Sequence, residues 1–198
     1  MSETMSSIKA VSLRRATVAD AAAIAAVRIE GWQTSYRGIM PDSYLDNMQL
    51  ADSLLHWKQI LQALPQVDAR VCVYVAESEG AVIGFASGML LEPAKLGMQG
   101  ELTAVYLLPQ WQRAGIGRRL LQKVARTLQA QGAQNLLVWV IADNAPARNF
   151  CEELGALALQ EQAFSWDGLD LTELAYGWRD LAVLEASVLA LPTSPSLH

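Results

Sequence analysis

The segment Gln112-Arg113-Ala114-Gly115-Ile116-Gly117 restricts the fold more than any other stretch of the chain. Ahead of it, Glu101 to Leu108 has the β-branched and aromatic character of a strand and stops at Pro109. Behind it, Ile116, Leu120, Leu121, Val124 and Leu128 recur on one helical face, and Gly132 supplies a stop. A glycine-bearing loop therefore hands a strand directly to a helix. The first amides of a helix have no intrahelical acceptor, so such a loop presents N–H groups and the positive end of the helix dipole to an anion. A Cβ at position 115 or 117 would hold that anion away from the backbone.

Two familiar phosphate motifs are excluded by the same residues. A P-loop needs Gly-Lys-Ser/Thr where this chain has Gly117-Arg118-Arg119. A dinucleotide fingerprint needs a glycine at Leu120 and an acid near Leu137. Charge supports an anion nonetheless. The net charge is −5, which argues against a general affinity for nucleic acid. Yet Leu102 to Ala142 carries no acid and includes Arg113, Arg118, Arg119, Lys123 and Arg126. A positive region on an acidic chain suits a small polyanion.

The other elements follow from periodicity and punctuation. A strand is expected at Val11–Arg15, and Thr17 with Asp20 three residues on opens a helix that carries Ala21, Ile24 and Val27. Short helices follow Pro41 and span Asp52–Leu64, closed by Pro65. Val71–Ala76 and Ala81–Leu91 form a hairpin around Glu77–Gly80, and Leu136–Ile141 reads as a strand buried on both faces. Asn144 caps a helix with Pro146 in its first turn and Ala147, Phe150, Cys151 and Leu154 inward, and Gly155 ends it. Strands at Leu157–Trp166 and Leu171–Trp178 close the series around Asp167-Gly168. The class is α+β (mixed α/β), with six or seven strands in a mixed sheet flanked by helices. With 198 residues one domain is expected, over 11–182, between a disordered 1–10 and a tail at 183–198. Neither a signal peptide nor a membrane span is visible, and Cys72 and Cys151 read as free thiols, so a cytoplasmic location is expected. His56 and His198 are the only histidines, so no metal site is expected.

Glu101 to Gly155 resembles the central motif of the GNAT superfamily of acetyl-CoA-dependent N-acetyltransferases: a strand with Glu101, the loop pattern at Gln112 to Gly117, a buried strand, and Asn144 to Gly155. The stretch Trp32 to Pro41 is similar to the acceptor-side helices of many bacterial members. The resemblance implies acetyl-CoA as acyl donor. Its pantetheine arm would lie along backbone groups of a splayed, bulged strand at Val105, Tyr106 and Leu107. Its pyrophosphate would lie on Gln112, Arg113, Ala114, Gly115, Ile116, Gly117 and Arg118, with Asn144 also at the cofactor. The partner is an amine acceptor, bounded by Trp32 and Tyr36, and members of the family often form homodimers; neither nucleic acid nor membrane is expected as a partner.

Transfer from a thioester to an amine requires a neutral amine, a stabilised oxyanion and a proton for the leaving thiolate. Glu101 matches in spacing a strand glutamate that acts as base in some relatives; a solvated strand-end carboxylate is the other reading. The Leu107 amide is expected at the oxyanion. Where the family carries a tyrosine acid this chain has Cys151, which reads as a donor, as a buried apolar residue, or as an acyl acceptor in a ping-pong route. Tyr36, Tyr106 and Tyr176 stay open as substitutes. Asp42, Asp46 and Glu30 read as an attraction for a cationic amine or as solvated acids. An acyl-CoA-binding protein with weak catalysis is the alternative reading.

Overall fold

The computed structural model describes residues 10–64 and 70–186. The expectations for residues 1–9, for Pro65 and for the tail beyond 186 lie outside the described residues. Among the described residues seven strands form one sheet: β1 (Ser12–Arg15), β2 (Val71–Ser78), β3 (Ala81–Lys95), β4 (Met98–Leu107), β5 (Leu136–Ile141), β6 (Leu157–Trp166) and β7 (Leu169–Trp178). They lie in the order β1-β2-β3-β4-β5-β7-β6. Every pairing is antiparallel except β4 with β5, which is parallel. The mixed α+β architecture is thus the one that hairpins followed by strand–helix–strand crossovers dictate.

Six α-helices are found among the described residues: α1 (Ala21–Ser35), α2 (Asp42–Asp46), α3 (Leu50–Ala63), α4 (Ile116–Ala130), α5 (Ala145–Glu153) and α6 (Ala182–Ala186). Helices α1 and α3 cover one face, where Ile24, Val27, Trp57 and Leu61 meet Val73, Val75 and Phe85. Helix α4 covers the other face. Its Leu120, Leu121, Val124 and Leu128 are fully buried against Tyr74, Ala86 and Leu136. Each such side chain contributes about 1.5–3 kcal/mol of burial, so this stripe anchors the helix and the loop that leads into it.

Capping follows the sequence closely. Thr17 and Asp20 form a capping box over a 3₁₀ turn at Val18–Asp20, and α1 begins at Ala21. The Asp20 carboxylate is also gripped by Arg14, whose two terminal nitrogens donate to it at 2.8 Å. The Asn144 side chain accepts from the Ala147 amide at 3.1 Å. Two strand boundaries differ from those expected. The strands expected to end at Leu91 and begin at Glu101 run on to Lys95 and back from Met98, and Lys95 pairs with Met98 around a turn at Leu96 and Gly97. Pro93 and the polar residues near it hide this extension, because the pairing comes from the neighbouring strand and not from local apolar alternation. Helix α6 docks through Leu184, which is buried, and an ion pair of Glu185 with Arg126.

Candidate active site

Strands β4 and β5 pair only at Gly100–Leu136 and Glu101–Leu137 and then diverge. The opposite edge of β4 stays bonded to β3. A bulge there sets Ser87 against Ala104 and Gly88 against Leu102, leaving Thr103 as the extra residue, with its hydroxyl 2.6 Å from that of Ser87. Past the bulge the Leu108 amide donates to Ile83 at 2.9 Å, opposite a regular register of Gly84 with Leu107 and Ala86 with Val105. Antiparallel bonding alternates, so Val105 and Leu107 turn their N–H and C=O groups toward β5. Because β5 has already diverged, those groups face a cleft. The cleft passes through the sheet and is lined by Leu102 to Leu107, by Val138, Trp139 and Val140, and by residues of α1 and α5.

The loop lies at the end of this cleft. A 3₁₀ turn, Pro109–Trp111, leads into Gln112, whose side-chain nitrogen donates to the Leu107 carbonyl at 3.1 Å. That bond fixes the loop to the splayed strand. Arg113 has φ +61°, and Gly115, the N-cap of α4, has φ +75°. The left-handed conformation is easy for glycine and costs a non-glycine residue about 1–2 kcal/mol, so Arg113 stores strain in the loop. The first intrahelical bond of α4 runs from the Arg119 amide to the Gly115 carbonyl. The amides of Ile116 and Gly117 precede it and lack a helical acceptor, with Arg118 next in the turn. A Cβ built on Gly117 would lie 3.4 Å from Phe150 and 3.6 Å from Leu107, ordinary contacts, so packing alone does not require glycine there. The loop, the turned edges and the basic flank together fit a phosphate-bearing acyl carrier.

From α1, Gly31, Ser35 and Tyr36 form one wall. Gly31 is not marked as a site residue by the sequence, yet a Cβ there would lie 2.7 Å from Cδ1 of Tyr106, so glycine lets the Tyr106 ring lie against the helix. The signal was present as a glycine inside an otherwise periodic helix. Burial raises the pKa of the Tyr36 hydroxyl, and hydrogen bonding with the side chains of Tyr106 and Asn144 opposes it. Tyr106 is half-buried as a whole, but enclosure of its hydroxyl pushes the pKa well above the usual tyrosine value. From α5, Asn144, Ala147, Phe150 and Cys151 form the opposite wall. Cys151 is 2% exposed, and burial, together with the Glu152 charge, pushes its thiol up to about 12. Glu101 is half-buried beside the lining residue Leu102. Burial raises its carboxyl pKa, Lys95 opposes the rise and Glu173 adds to it. Lys95 itself sits 4.5 Å over the ring of Trp139.

Several candidates lie elsewhere. Trp32 is buried in a small cluster with Met40 and Leu45, and its ring stacks 4.9 Å from Tyr36 and 5.8 Å from Trp166. It supports the wall from behind while Tyr36 forms the surface. The Trp166 indole donates to the Tyr44 hydroxyl at 2.7 Å, tying the β6–β7 hairpin to α2. Asp42 and Asp46 both pair with Arg37, and Glu30 is exposed on α1. Tyr176 donates to Glu152 at 2.6 Å and accepts from Arg148 at 3.2 Å, so its hydroxyl serves to hold α5 in place. Among the described residues no group of three or more His, Cys, Asp or Glu could hold a metal, and no helix is long and apolar enough to cross a membrane.

A sheet opened between two parallel strands, with a helix N-terminus at the end of the opening, is the frame of an acyl-CoA-dependent N-acyltransferase. The family model described as "Acetyltransferase (GNAT) family" matches residues 29–156, and the chain belongs to that family. It is 36% identical over 176 residues to the uncharacterized N-acetyltransferase YuaI of Bacillus subtilis (strain 168), covering 88% of this chain and 96% of that one. Solved structures agree in fold. The PaiA N-acetyltransferase of Thermoplasma acidophilum in complex with coenzyme A is 20% identical with a TM-score of 0.64, covering 83% of this chain and 98% of that one. YncA of Salmonella typhimurium, solved with acetyl-CoA as its cofactor, is 22% identical with a TM-score of 0.60 and coverages of 87% and 94%.

Proposed function

We propose that this acetyltransferase moves the acetyl group of acetyl-CoA directly onto a primary amine: a small molecule such as a polyamine or amino acid derivative, or a peptide N-terminus. The observation that carries the reading is the divergence of β4 from β5, which turns the backbone of Val105 and Leu107 into a cleft ending at the α4 N-terminus. The pantetheine arm, an amide-rich chain, matches the strand segment Val105, Tyr106 and Leu107, whose Val105 and Leu107 backbone groups turn away from β3. The pyrophosphate matches Gln112 to Arg118, where Arg113 and Arg118 add charge to the amides. Asn144 faces the same cleft.

An amine with a pKa near 10 is protonated about a thousandfold over at pH 7, so a base is needed before attack. Glu101 takes that role, since its partial burial brings the carboxyl toward the working pH. The Leu107 amide, turned to the cleft, is the donor for the tetrahedral oxyanion. Direct transfer is favoured over a ping-pong route because a thiol held near 12, as in Cys151, is scarcely ionised at neutral pH. The catalytic unit spans 11–182, acts in the cytoplasm, and pairs as a homodimer in the manner of its family.

A thermal shift with acetyl-CoA tests the donor site. At a hundredfold excess over its dissociation constant a ligand adds about 2.7 kcal/mol, roughly 5–10 °C for a chain of this size. Wild type should show that rise and Gly117→Glu should not, because the new carboxylate meets the phosphates. Thiol release with a panel of amines then tests the reaction. Stabilisation without thiol release from any amine would favour an acyl-CoA-binding protein instead.

A further inference from the structure

We propose that Tyr36 donates the proton to the departing thiolate, with Tyr106 behind it as the second hydroxyl of a relay, while Cys151 forms wall. The assignment rests on the transfer reaction proposed above. Its geometric basis is a cluster drawn from three elements at the point where the sheet opens. Tyr36 is the C-cap residue that follows α1, Tyr106 comes from the splayed end of β4, and Asn144 is the N-cap of α5, and all three line the same cleft.

The placement of Tyr106 is built in. Its ring lies where a Cβ on residue 31 would stand, so a glycine is kept in mid-helix at a propensity cost of about 1 kcal/mol relative to alanine. The ring is also held 5.7 Å from Phe85. Tyr106 and Asn144 line the cleft together with Tyr36, and hydrogen bonding to both side chains favours the ionised Tyr36 phenol. A hydroxyl with a second hydroxyl and an amide beside it can give up a proton and regain one. The charged and titratable groups facing Tyr36 are Tyr106 from β4 and Arg28 from its own helix.

The other two candidates lack this setting. The Cys151 thiol also borders the cleft, but it packs with the core residues Leu154 and Ala156, and burial together with the Glu152 charge holds it protonated. The Tyr176 hydroxyl is engaged by Glu152 and Arg148. The step balances as follows. The neutral amine nitrogen bonds to the acyl carbon, and its proton leaves to Glu101 or to water. The tetrahedral intermediate then collapses, the C–S bond breaks with its electron pair on sulfur, and the sulfur takes the proton from Oη of Tyr36. The resulting phenolate regains a proton by way of Tyr106 or from water entering the cleft, so amine and thioester give amide and thiol.

The test compares wild type, Tyr36→Phe, Cys151→Ala and protein carrying a fluorinated tyrosine at position 36, using an amine that wild type acetylates. Loss of a general acid lowers kcat by about a hundredfold or more. Tyr36→Phe should show such a loss with its acetyl-CoA thermal shift retained, and the loss in Cys151→Ala should be much smaller. Fluorination makes the phenol more acidic, so the alkaline fall of kcat should move to lower pH. A larger loss in Cys151→Ala than in Tyr36→Phe overturns the assignment, as does an alkaline limb that fluorination leaves in place. Absence of thiol release from wild type with every amine is a distinct result: it removes the transfer reading, and this assignment with it.

Discussion

Replacing Gly31 by alanine isolates one contact on which the cleft depends. The new Cβ would stand 2.7 Å from Cδ1 of Tyr106, whereas ordinary contacts begin at 3.4 Å, so the ring must retreat by the difference of 0.7 Å. Helix propensity alone would reward the change by about 1 kcal/mol. Overpacking of an enclosed aromatic ring costs about 1–3 kcal/mol, because Phe85 and the α1 backbone stand around it. The net expectation is a loss of about 0–2 kcal/mol, or a fall in Tm of up to about 8 °C at 2–4 °C per kcal/mol. Catalysis should suffer more than stability. A displacement approaching an ångström at a reacting group costs up to about a hundredfold, so kcat should fall well beyond what the melting change suggests. Thermal melts and thiol-release kinetics on the same preparation check both numbers. A variant with a raised Tm and undiminished kcat would show that Tyr106 need not lie against α1, and the reasoning would fail.

Gly115→Ala places a side chain in open space but at φ +75°, so it should lose about 1–2 kcal/mol in urea unfolding and weaken acetyl-CoA binding through loop distortion alone. Glu101→Gln should remove the acid limb of the kcat/KM profile and lower its plateau by about 10²–10⁴. In wild type that limb should lie above the usual carboxylate range, since burial raises the pKa and the base works only when ionised. Asp20→Asn should destabilise the fold by roughly 2 kcal/mol near neutral pH, because its hydrogen bonds with Arg14 lower the pKa from 3.8 to about 2. A folded-state pKa below the unfolded one gives stability present above pH 3.8 and lost as pH falls toward 2, so the difference between wild type and variant should vanish in acid melts.

What the sequence determined by itself is local. The strand stop at Pro109, the left-handed position at Gly115, the apolar stripe from Ile116 to Leu128 and the Asn144 cap are each written within a few residues, because capping and helical periodicity act over one or two turns. The candidate phosphate loop could therefore be read without a structure, and with it the fold class. Sequence did not separate Trp32 from Tyr36, which share a helix face; the first turned out to be enclosed by Met40, Leu45 and Trp166, and the second to border the cleft. Nor did it mark Gly31, whose reason for being glycine is a ring on a strand far along the chain. The break in pairing after Glu101 and Leu137, the turning of Val105 and Leu107 away from β3, and the gathering of Tyr36, Tyr106 and Asn144 around one cleft were decided by tertiary structure. Each depends on strand order and register. Those are set by how two faces of one sheet are covered by different helices, and a window of sequence does not contain that information.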